Sequence, residues 1–361
     1  MPSEKFFSKP FDDSTKCKLE IYHSYLREWL PVFLASPKPH WTNINIFDFF
    51  AGQGQDSEGY PGSPLITISE VNKSTGYIVN HKMKVRLYFN EFDKEVFENL
   101  KQNAEKVIKP NVYTTQFSKE DFQQCFWEQY PLMENAANFI FLDQKGIKQI
   151  TEEVFLRIVE LKQTDFLFFI SSSFIHRFGE SEEFQRYLKI RQEDIQGKEY
   201  FHIHRLVLDY YRSLIPKGKQ YFLAPFSIKK GSNVYGLIFG TNHTYGLEKF
   251  LKVCWKIDQQ RGEANFDIDR EKINFAAPTL FEEYNKPTKR QLFEGELKSK
   301  ILNKVLKTSY EVYLFTLESG FLLKDANDVL RELSKGSRIE FTFNLSSGKL
   351  HTVLPGNIKV N

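Results

Sequence analysis

A chain of 361 residues with 49 lysines and arginines against 46 aspartates and glutamates has a formal net charge of only +3. So small an excess excludes nucleic-acid binding through an overall basic field, and any basic footprint has to be local. Hydrophobic residues at 41% and charged residues at 26% are ordinary for a globular chain, here long enough for one large domain and a small one, or two medium ones. Cys17, Cys125 and Cys254 are far apart and form no CxxC. That argues against a disulfide framework or a cysteine-rich zinc site, so no metal is expected. Residues 1–10 lack the apolar core of a signal peptide, and no apolar run approaches the ~18 residues of a membrane span. The expectation is a cytoplasmic chain with no membrane partner.

Residues 14–35 read as an amphipathic helix, with Leu19, Tyr22, Leu26, Trp29, Leu30 and Phe33 at three- and four-residue spacing. Pro31 is expected to kink it or split off its last turn. A strand at Ile44–Phe50 runs into a polar, glycine-rich loop that lasts to Gly62. Ser63-Pro64 reads as an N-cap followed by a first-turn proline, which opens a helix. Strands and helices then alternate: strand Val85–Asn90, helix Asp93–Val107, strand Val112–Gln116, helix Ser118–Tyr130, strand Phe139–Leu142, helix Thr151–Leu161, strand Phe166–Ile170. Such alternation means a parallel sheet covered on both faces. Residues 180–196 read as a charged helical lid, and Tyr200–Ile215 as another helix. Gln220–Ile228 and Asn233–Phe239, joined at Lys230-Gly231-Ser232, form a hairpin that makes the last strand antiparallel. The fold class is therefore α/β, a Rossmann-like class I methyltransferase sheet, parallel with one antiparallel strand. After a polar stretch at 259–290, helices are predicted at 291–306, 309–319 and 324–335, then strands at Arg338–Asn344 and Lys349–Val353 around Ser346-Ser347-Gly348. Three helices and a hairpin fit a C-terminal winged-helix domain. The domain plan is an N-terminal helical segment (1–40), a methyltransferase-like domain (41–258), a linker (259–290) and the winged helix (291–361).

The strongest local signal is Asp48-Phe49-Phe50-Ala51-Gly52-Gln53-Gly54 at the end of the first strand. Two glycines let the backbone pass close to a ligand, and the helix after the loop offers free N–H groups to a carboxylate. A tight strand-to-helix turn would need the same glycines. Glu91 at the tip of the second strand, followed by Phe92, is placed to accept both ribose hydroxyls of a nucleotide. NAD fits less well, because Ser57 stands where the third glycine of GxGxxG belongs. Asp93 reads as a helix N-cap. Asp121 either contacts an adenine amino group or belongs to a capping box with Ser118. The cofactor implied is S-adenosylmethionine (SAM), held by Lys16, Asp48, Phe50, Ala51, Gly52, Gly54, Glu91, Phe92 and Asp121.

The fourth strand ends in Leu142-Asp143-Gln144-Lys145-Gly146, where enzymes that methylate nucleic-acid amines carry (Asp/Asn)-Pro-Pro-aromatic. The Asp is kept and the next three residues differ. Asp143 and Gln144 are the candidate catalytic residues, with turn-capping as the plainer role for Asp143. Ser171-Ser172-Ser173 has no GxSxG turn, and His202 and His204 at i and i+2 face apart on a helix, so neither a nucleophile nor a metal site is read there. His176 and His243 are unplaced by the sequence. Lys298, Lys300, Lys304 and Lys307, with Arg331, Lys335 and Arg338, could track a phosphate backbone, or form a solvated or protein-binding face.

The stretches Thr15-Lys16-Cys17-Lys18-Leu19, Asp48 to Gly54, Gly62-Ser63-Pro64-Leu65, Phe141 to Ile147 and Ser171 to Phe178, in this order and spacing, resemble the three-Cys-motif partner (TcmP) family. Leu317 to Phe321 and Leu330 to Leu333 resemble that family's tail, so the resemblance spans nearly the whole chain. It implies a partner carrying a three-cysteine motif, similar to radical-SAM enzymes of the spore-photoproduct-lyase type, and a two-protein system acting on nucleic acid in repair or defence. The function expected is methyl transfer on, or while docked to, nucleic acid; the alternative is a non-catalytic nucleic-acid-binding adaptor for the same partner.

Overall fold

The structure is a computed structural model that describes residues 9–36, 38–144, 149–178, 189–190, 192–196, 199–269, 287–345 and 355–361. The chain divides into two compact units, Met1–Gly246 and Leu247–Asn361. Among the described residues no helix is long and apolar enough to cross a membrane.

In the first unit, helix α1 (Asp13–Leu34) is started by Asp12, whose carboxylate accepts the Thr15 N–H at 2.8 Å and pairs with Lys230 at 2.6 Å. Its expected apolar stripe is buried throughout. Pro31 neither kinks off nor ends the last turn: Ala35 N–H still reaches the Pro31 carbonyl at 3.1 Å. So near a helix end, the missing proline N–H removes one ladder bond and leaves its neighbours in place.

The remaining elements of this unit are β1 (Asn43–Asp48), α2 (Ser63–Lys73), α3 (Thr75–Asn80), β2 (Lys84–Asn90), α4 (Lys94–Glu105), β3 (Thr114–Ser118), α5 (Phe122–Met133), β4 (Ala137–Leu142), α6 (Glu152–Glu160), β5 (Gln163–Ile170), α7 (Ser172–Phe178), α8 (Gln192–Gln196), α9 (Ile203–Leu214), β6 (Phe222–Lys230) and β7 (Asn233–Thr241). A single 3-10 turn, Tyr200–His202, precedes α9. The seven strands form one sheet in the order β3-β2-β1-β4-β5-β7-β6. All pair parallel except β7, which runs against both β5 and β6. This is the mostly parallel sheet with one reversed strand that the sequence leads one to expect.

β4 shows why its sequence is apolar without alternation. Phe139 and Phe141 pack on Tyr22 of α1, at 5.6 and 4.5 Å between ring centroids, while Ile140 and Leu142 belong to the core on the other face with Phe126, Phe168 and Tyr211. A strand buried on both faces has no polar side to show. Where β5 enters the sheet, Asp165 accepts the Tyr25 hydroxyl and the Thr241 hydroxyl, both at 2.6 Å, which ties α1 to β5 and β7.

Several boundaries differ from expectation. β3 runs through Ser118, so α5 starts at Phe122 and the expected Ser118 capping box does not form. The N-cap of α2 is Gly62, with Ser63 and Pro64 inside the first turn, because the Gly62 N–H is held by the Gly54 carbonyl at 2.7 Å. The short α3 is not foreseen. Of the expected 180–196 lid, only 189–190 and 192–196 are described; the rest lies outside the described residues.

The helix α10 (Thr244–Ile257), also unforeseen, spans the division between the units. The second unit contains α11 (Lys289–Leu302), α12 (Ser309–Glu318), α13 (Leu323–Lys335) and a two-stranded ribbon of β8 (Ile339–Glu340) and β9 (Lys359–Val360). Capping boxes at Thr288/Gln291 and Thr308/Glu311 fix the starts of α11 and α12. Phe293 stacks on Phe321 at 4.1 Å, and Trp255 donates to the Gly320 carbonyl at 2.9 Å. β8 pairs with the chain's last residues, and the expected strand Lys349–Val353 lies outside the described residues, as does Ser346-Ser347-Gly348.

Candidate functional site

A cavity of about 730 Å³ opens over the tips of β1, β2, β4 and β5. Ligands of parallel α/β sheets sit at the carboxyl ends of the strands, where the connecting loops diverge.

One half of the cavity is built from backbone. After β1 the chain turns through Gly52 at φ 62° and Gly54 at φ 88°, a left-handed conformation that side chains disfavour. The Gly52 N–H donates to Glu91 Oε2 at 3.0 Å, and Glu91 Oε1 accepts the Asp93 N–H at 3.0 Å. The Ala51 N–H is held by the Asn90 carbonyl at 2.9 Å. Asn90 itself is buried; its side-chain amide donates to the Phe49 and Glu120 carbonyls at 3.3 and 3.0 Å and accepts the Glu120 N–H at 3.1 Å. One side chain thus fastens the tips of β1, β2 and β3 together. Nothing in the motif singled it out, although a polar residue closing an apolar strand was the available signal.

Asp93 caps α4 as expected, accepting the Glu95 and Val96 N–H groups at 3.0 and 3.1 Å. Asp121 is itself the N-cap of α5, accepting the Gln123 N–H at 2.9 Å without the Ser118 capping box, and it lines the cavity. Phe50 lines the wall and stacks on Phe122 at 5.3 Å. Ala51, Gly52, Gly54, Glu91 and Phe92 line it too, and Phe92 is 71% exposed. Two of the expected residues stand elsewhere. Lys16 borders a separate 420 Å³ depression, its ammonium 5.5 Å from the Tyr60 ring centroid. Asp48 lies fully buried outside the lining. Burial pushes its carboxyl up to about 7, against the pull of the Ser63 hydroxyl and the Phe50 N–H.

Side chains build the other half. Asp143 and Gln144, at the end of β4, line the cavity with Phe169 and Ser171 from β5 and its exit, and Lys230 and Tyr235 from the hairpin. Lys18 of α1, which the sequence offered only as part of a motif, pairs with Asp143 and stands 5.0 Å from the Phe169 ring centroid. Gln144 Oε1 accepts the Gln149 N–H at 3.1 Å, and its buried Nε2 has no partner among the described residues. Lys145, Gly146 and Ile147 lie outside the described residues.

The histidines stay apart from this site. His204 is buried against the Ser227 hydroxyl and the Phe201 carbonyl, His176 stands 6.2 Å from the Tyr200 ring, and His243 caps the Tyr245 N–H. Among the described residues no group of His, Cys, Asp and Glu could hold a metal ion.

In the second unit the basic set is partly neutralised: Lys298 pairs with Glu332 at 2.7 Å, Lys300 with Glu296 at 3.5 Å and Arg331 with Asp328 at 3.3 Å. Lys304, Lys307, Lys335 and Arg338 are exposed. The last residues lace two of them together, the Lys307 carbonyl accepting the Ile358 N–H at 2.8 Å and the Arg338 carbonyl the Asn361 N–H at 3.1 Å.

No family model and no curated protein matches the chain. Among solved structures it is similar to Trm1 from Pyrococcus horikoshii in complex with S-adenosyl-L-methionine, at 11% identity and a TM-score of 0.42, covering 100% of this chain and 94% of that one. It is also similar to the O-methyltransferase TomG from Streptomyces achromogenes in complex with SAM, at 8% identity and a TM-score of 0.34, covering 66% of this chain and 92% of that one. A third similarity is to the small RNA methyltransferase HEN1, at 10% identity and a TM-score of 0.34, covering 66% of this chain and 27% of that one.

Proposed function

We propose that the first unit is a SAM-dependent methyltransferase. The observation that carries this reading is the Glu91 carboxylate at the tip of β2, locked to the Gly52 N–H of the loop after β1 inside a nucleotide-sized cavity. Its two oxygens accept the Gly52 and Asp93 N–H groups, which fixes the carboxylate at the tip of β2, where a ribose of the donor would meet it. Gly52 and Gly54 would let the donor's amino-acid portion approach the backbone, and Phe50, Phe92 and Asp121 would border its adenine. The bound cofactor supplies a methyl group on a sulfonium. Asp143 and Gln144 orient an acceptor nitrogen or oxygen toward it, and holding the two reactants in line supplies most of the acceleration.

The resemblance to the TcmP family extends the proposal to a three-cysteine-motif, radical-SAM-like partner and to nucleic acid, with the second unit acting as a winged helix. Its three helices and terminal ribbon support that reading, as do Lys304, Lys307, Lys335 and Arg338. Replacing Lys335 and Arg338 by Glu should weaken binding of a DNA duplex and flatten the salt dependence of log Kd by about two. An unchanged salt slope would assign the basic residues to solvent.

A second reading, the non-catalytic adaptor, is favoured by the Gln144-Lys145-Gly146 sequence, which lacks the prolines and aromatic of an amine-methylating turn. Calorimetric titration with SAM and S-adenosylhomocysteine (SAH) separates the two. Micromolar binding lost in Glu91→Ala, with methyl transfer to nucleic acid lost in Asp143→Ala, supports the enzyme. Co-purification with the cysteine-motif partner and no transfer to any nucleic acid supports the adaptor.

A further inference from the structure

The charged residues of the cavity are sorted along the sheet. Glu91, Asp93, Glu120 and Asp121 follow β2 and β3 at one edge, while Lys18 and Lys230 come from α1 and from β6 at the other edge. The acidic side suits a ligand that carries a positive charge, as a sulfonium does. On the other side each lysine is paired with an aspartate, Lys18 with Asp143 and Lys230 with Asp12, and the polar atoms can be counted.

Asp143 is the carboxylate there, and Lys18, 125 residues away in sequence, neutralises it. An ammonium has three N–H donors and needs only one for this pair. Its place near the Phe169 ring, with a side chain only 16% exposed, holds it at the cavity wall. The orientation of Gln144 is fixed by chemistry. A backbone N–H can only donate, so the atom facing the Gln149 N–H is the amide oxygen and the NH2 group must face away from it. That NH2 is buried and has no partner among the described residues. This end of the cavity therefore offers surplus N–H donors, on Lys18 and on the Gln144 amide, while the charges of its two lysines are matched by Asp143 and Asp12. An exocyclic amine brings N–H donors of its own and adds to that surplus. An oxygen acceptor supplies the lone pairs that these donors lack. Phe11, Phe50, Phe169 and Tyr235 line the cavity and favour a flat ring.

We infer that the acceptor is a planar aromatic oxyanion, a phenolate or the deprotonated lactam edge of a nucleobase, held by Lys18 and the Gln144 amide; this rests on the methyl-transfer site proposed above. On binding, the acid O–H or N–H releases its proton to solvent and the oxygen keeps the electron pair that later attacks.

The test is spectrophotometric titration of 4-nitrophenol with the full chain, in the presence and absence of SAH. Bound beside Lys18, the phenol should ionise at a pH lower by about one unit or more. Lys18→Met and Gln144→Leu should each abolish most of that shift while still binding SAH by calorimetry, which shows that they fold. Competition by uridine would identify the lactam source, and its absence the phenolic one. Displacement of the phenolate by adenosine but not by uridine would overturn the inference, as would an unshifted phenol or a shift that survives in Lys18→Met. SAH binding without nitrophenolate or uridine binding sinks this inference and leaves methyl transfer standing. Nitrophenolate binding without SAH binding does the reverse.

Discussion

The two halves of the cavity are built by different means. Around Gly52 and Glu91, main-chain groups are held by main chain and by two side chains, Asn90 and Glu91, that stand next to each other in sequence. Around Asp143 and Gln144, the geometry depends on Lys18 from the first helix and on the Gln149 N–H beyond the turn. A backbone cradle can be written as a short motif, whereas a side-chain pair gathered from across the fold cannot. The first half suits a ligand that is always the same, and the second is free to be rewritten for a new acceptor.

The largest break in this contrast should come from Asn90→Ala. It removes three hydrogen bonds, the one to the Phe49 carbonyl buried and the two to Glu120 part-buried, which is expected to cost about 2–4 kcal/mol of stability by chemical denaturation. A loss below about 0.5 kcal/mol would mean that the three strand tips hold themselves. Next in size is Glu91→Ala, expected to weaken SAH by about ten- to hundred-fold through the loss of a charged acceptor. Unchanged affinity would move the ribose elsewhere.

A smaller effect concerns pH. Burial raises the Asp48 carboxyl to about 7 and the Asp165 carboxyl to about 6, so the folded chain keeps these protons to higher pH than an unfolded aspartate at 3.8. The folded state then binds more protons between about pH 4 and 7, and the part of the stability contributed by these groups falls as pH rises through that window. Asp48→Asn should flatten the pH dependence of the denaturation midpoint there; an equal slope in the variant would show that Asp48 titrates normally. Smallest of all, Lys18→Met should leave SAH affinity within about twofold, since independent sites rarely couple by more than a few tenths of a kcal/mol. A large loss would mean that the halves are one site.

The sheet was legible because its chemistry is local. Runs such as Phe166–Ile170 and the turn at Lys230-Gly231-Ser232 announce a buried strand and a hairpin from their own residues. Glu91 and the Gly52/Gly54 loop were legible for the same reason. Boundaries were less so: β3 extends to Ser118 because pairing with Asn90 continues the ladder that far, a fact about the neighbouring strand. Lys16 and Lys18 carry the same side chain two residues apart in one helix, and only the fold decides that Lys18 reaches Asp143 while Lys16 turns to Tyr60. Asp48 looked like part of the ligand surface because it opens the motif, yet as the last residue of an inner strand it is fully buried, its carboxylate turned to the Phe50 N–H. In the second unit, the strand that pairs with β8 is a pair of residues too short to leave any pattern.

Asn90 also sets how the cavity can open. Its main-chain carbonyl holds the Ala51 amide, and its side chain holds the Glu120 amide, so neither loop can part from β2 without disturbing the same residue. Release of these protections would then be a single event. Under native conditions the Ala51 and Glu120 amides should exchange with deuterium at one shared opening free energy, and the rate of ligand entry should follow that joint opening instead of the motion of either loop alone.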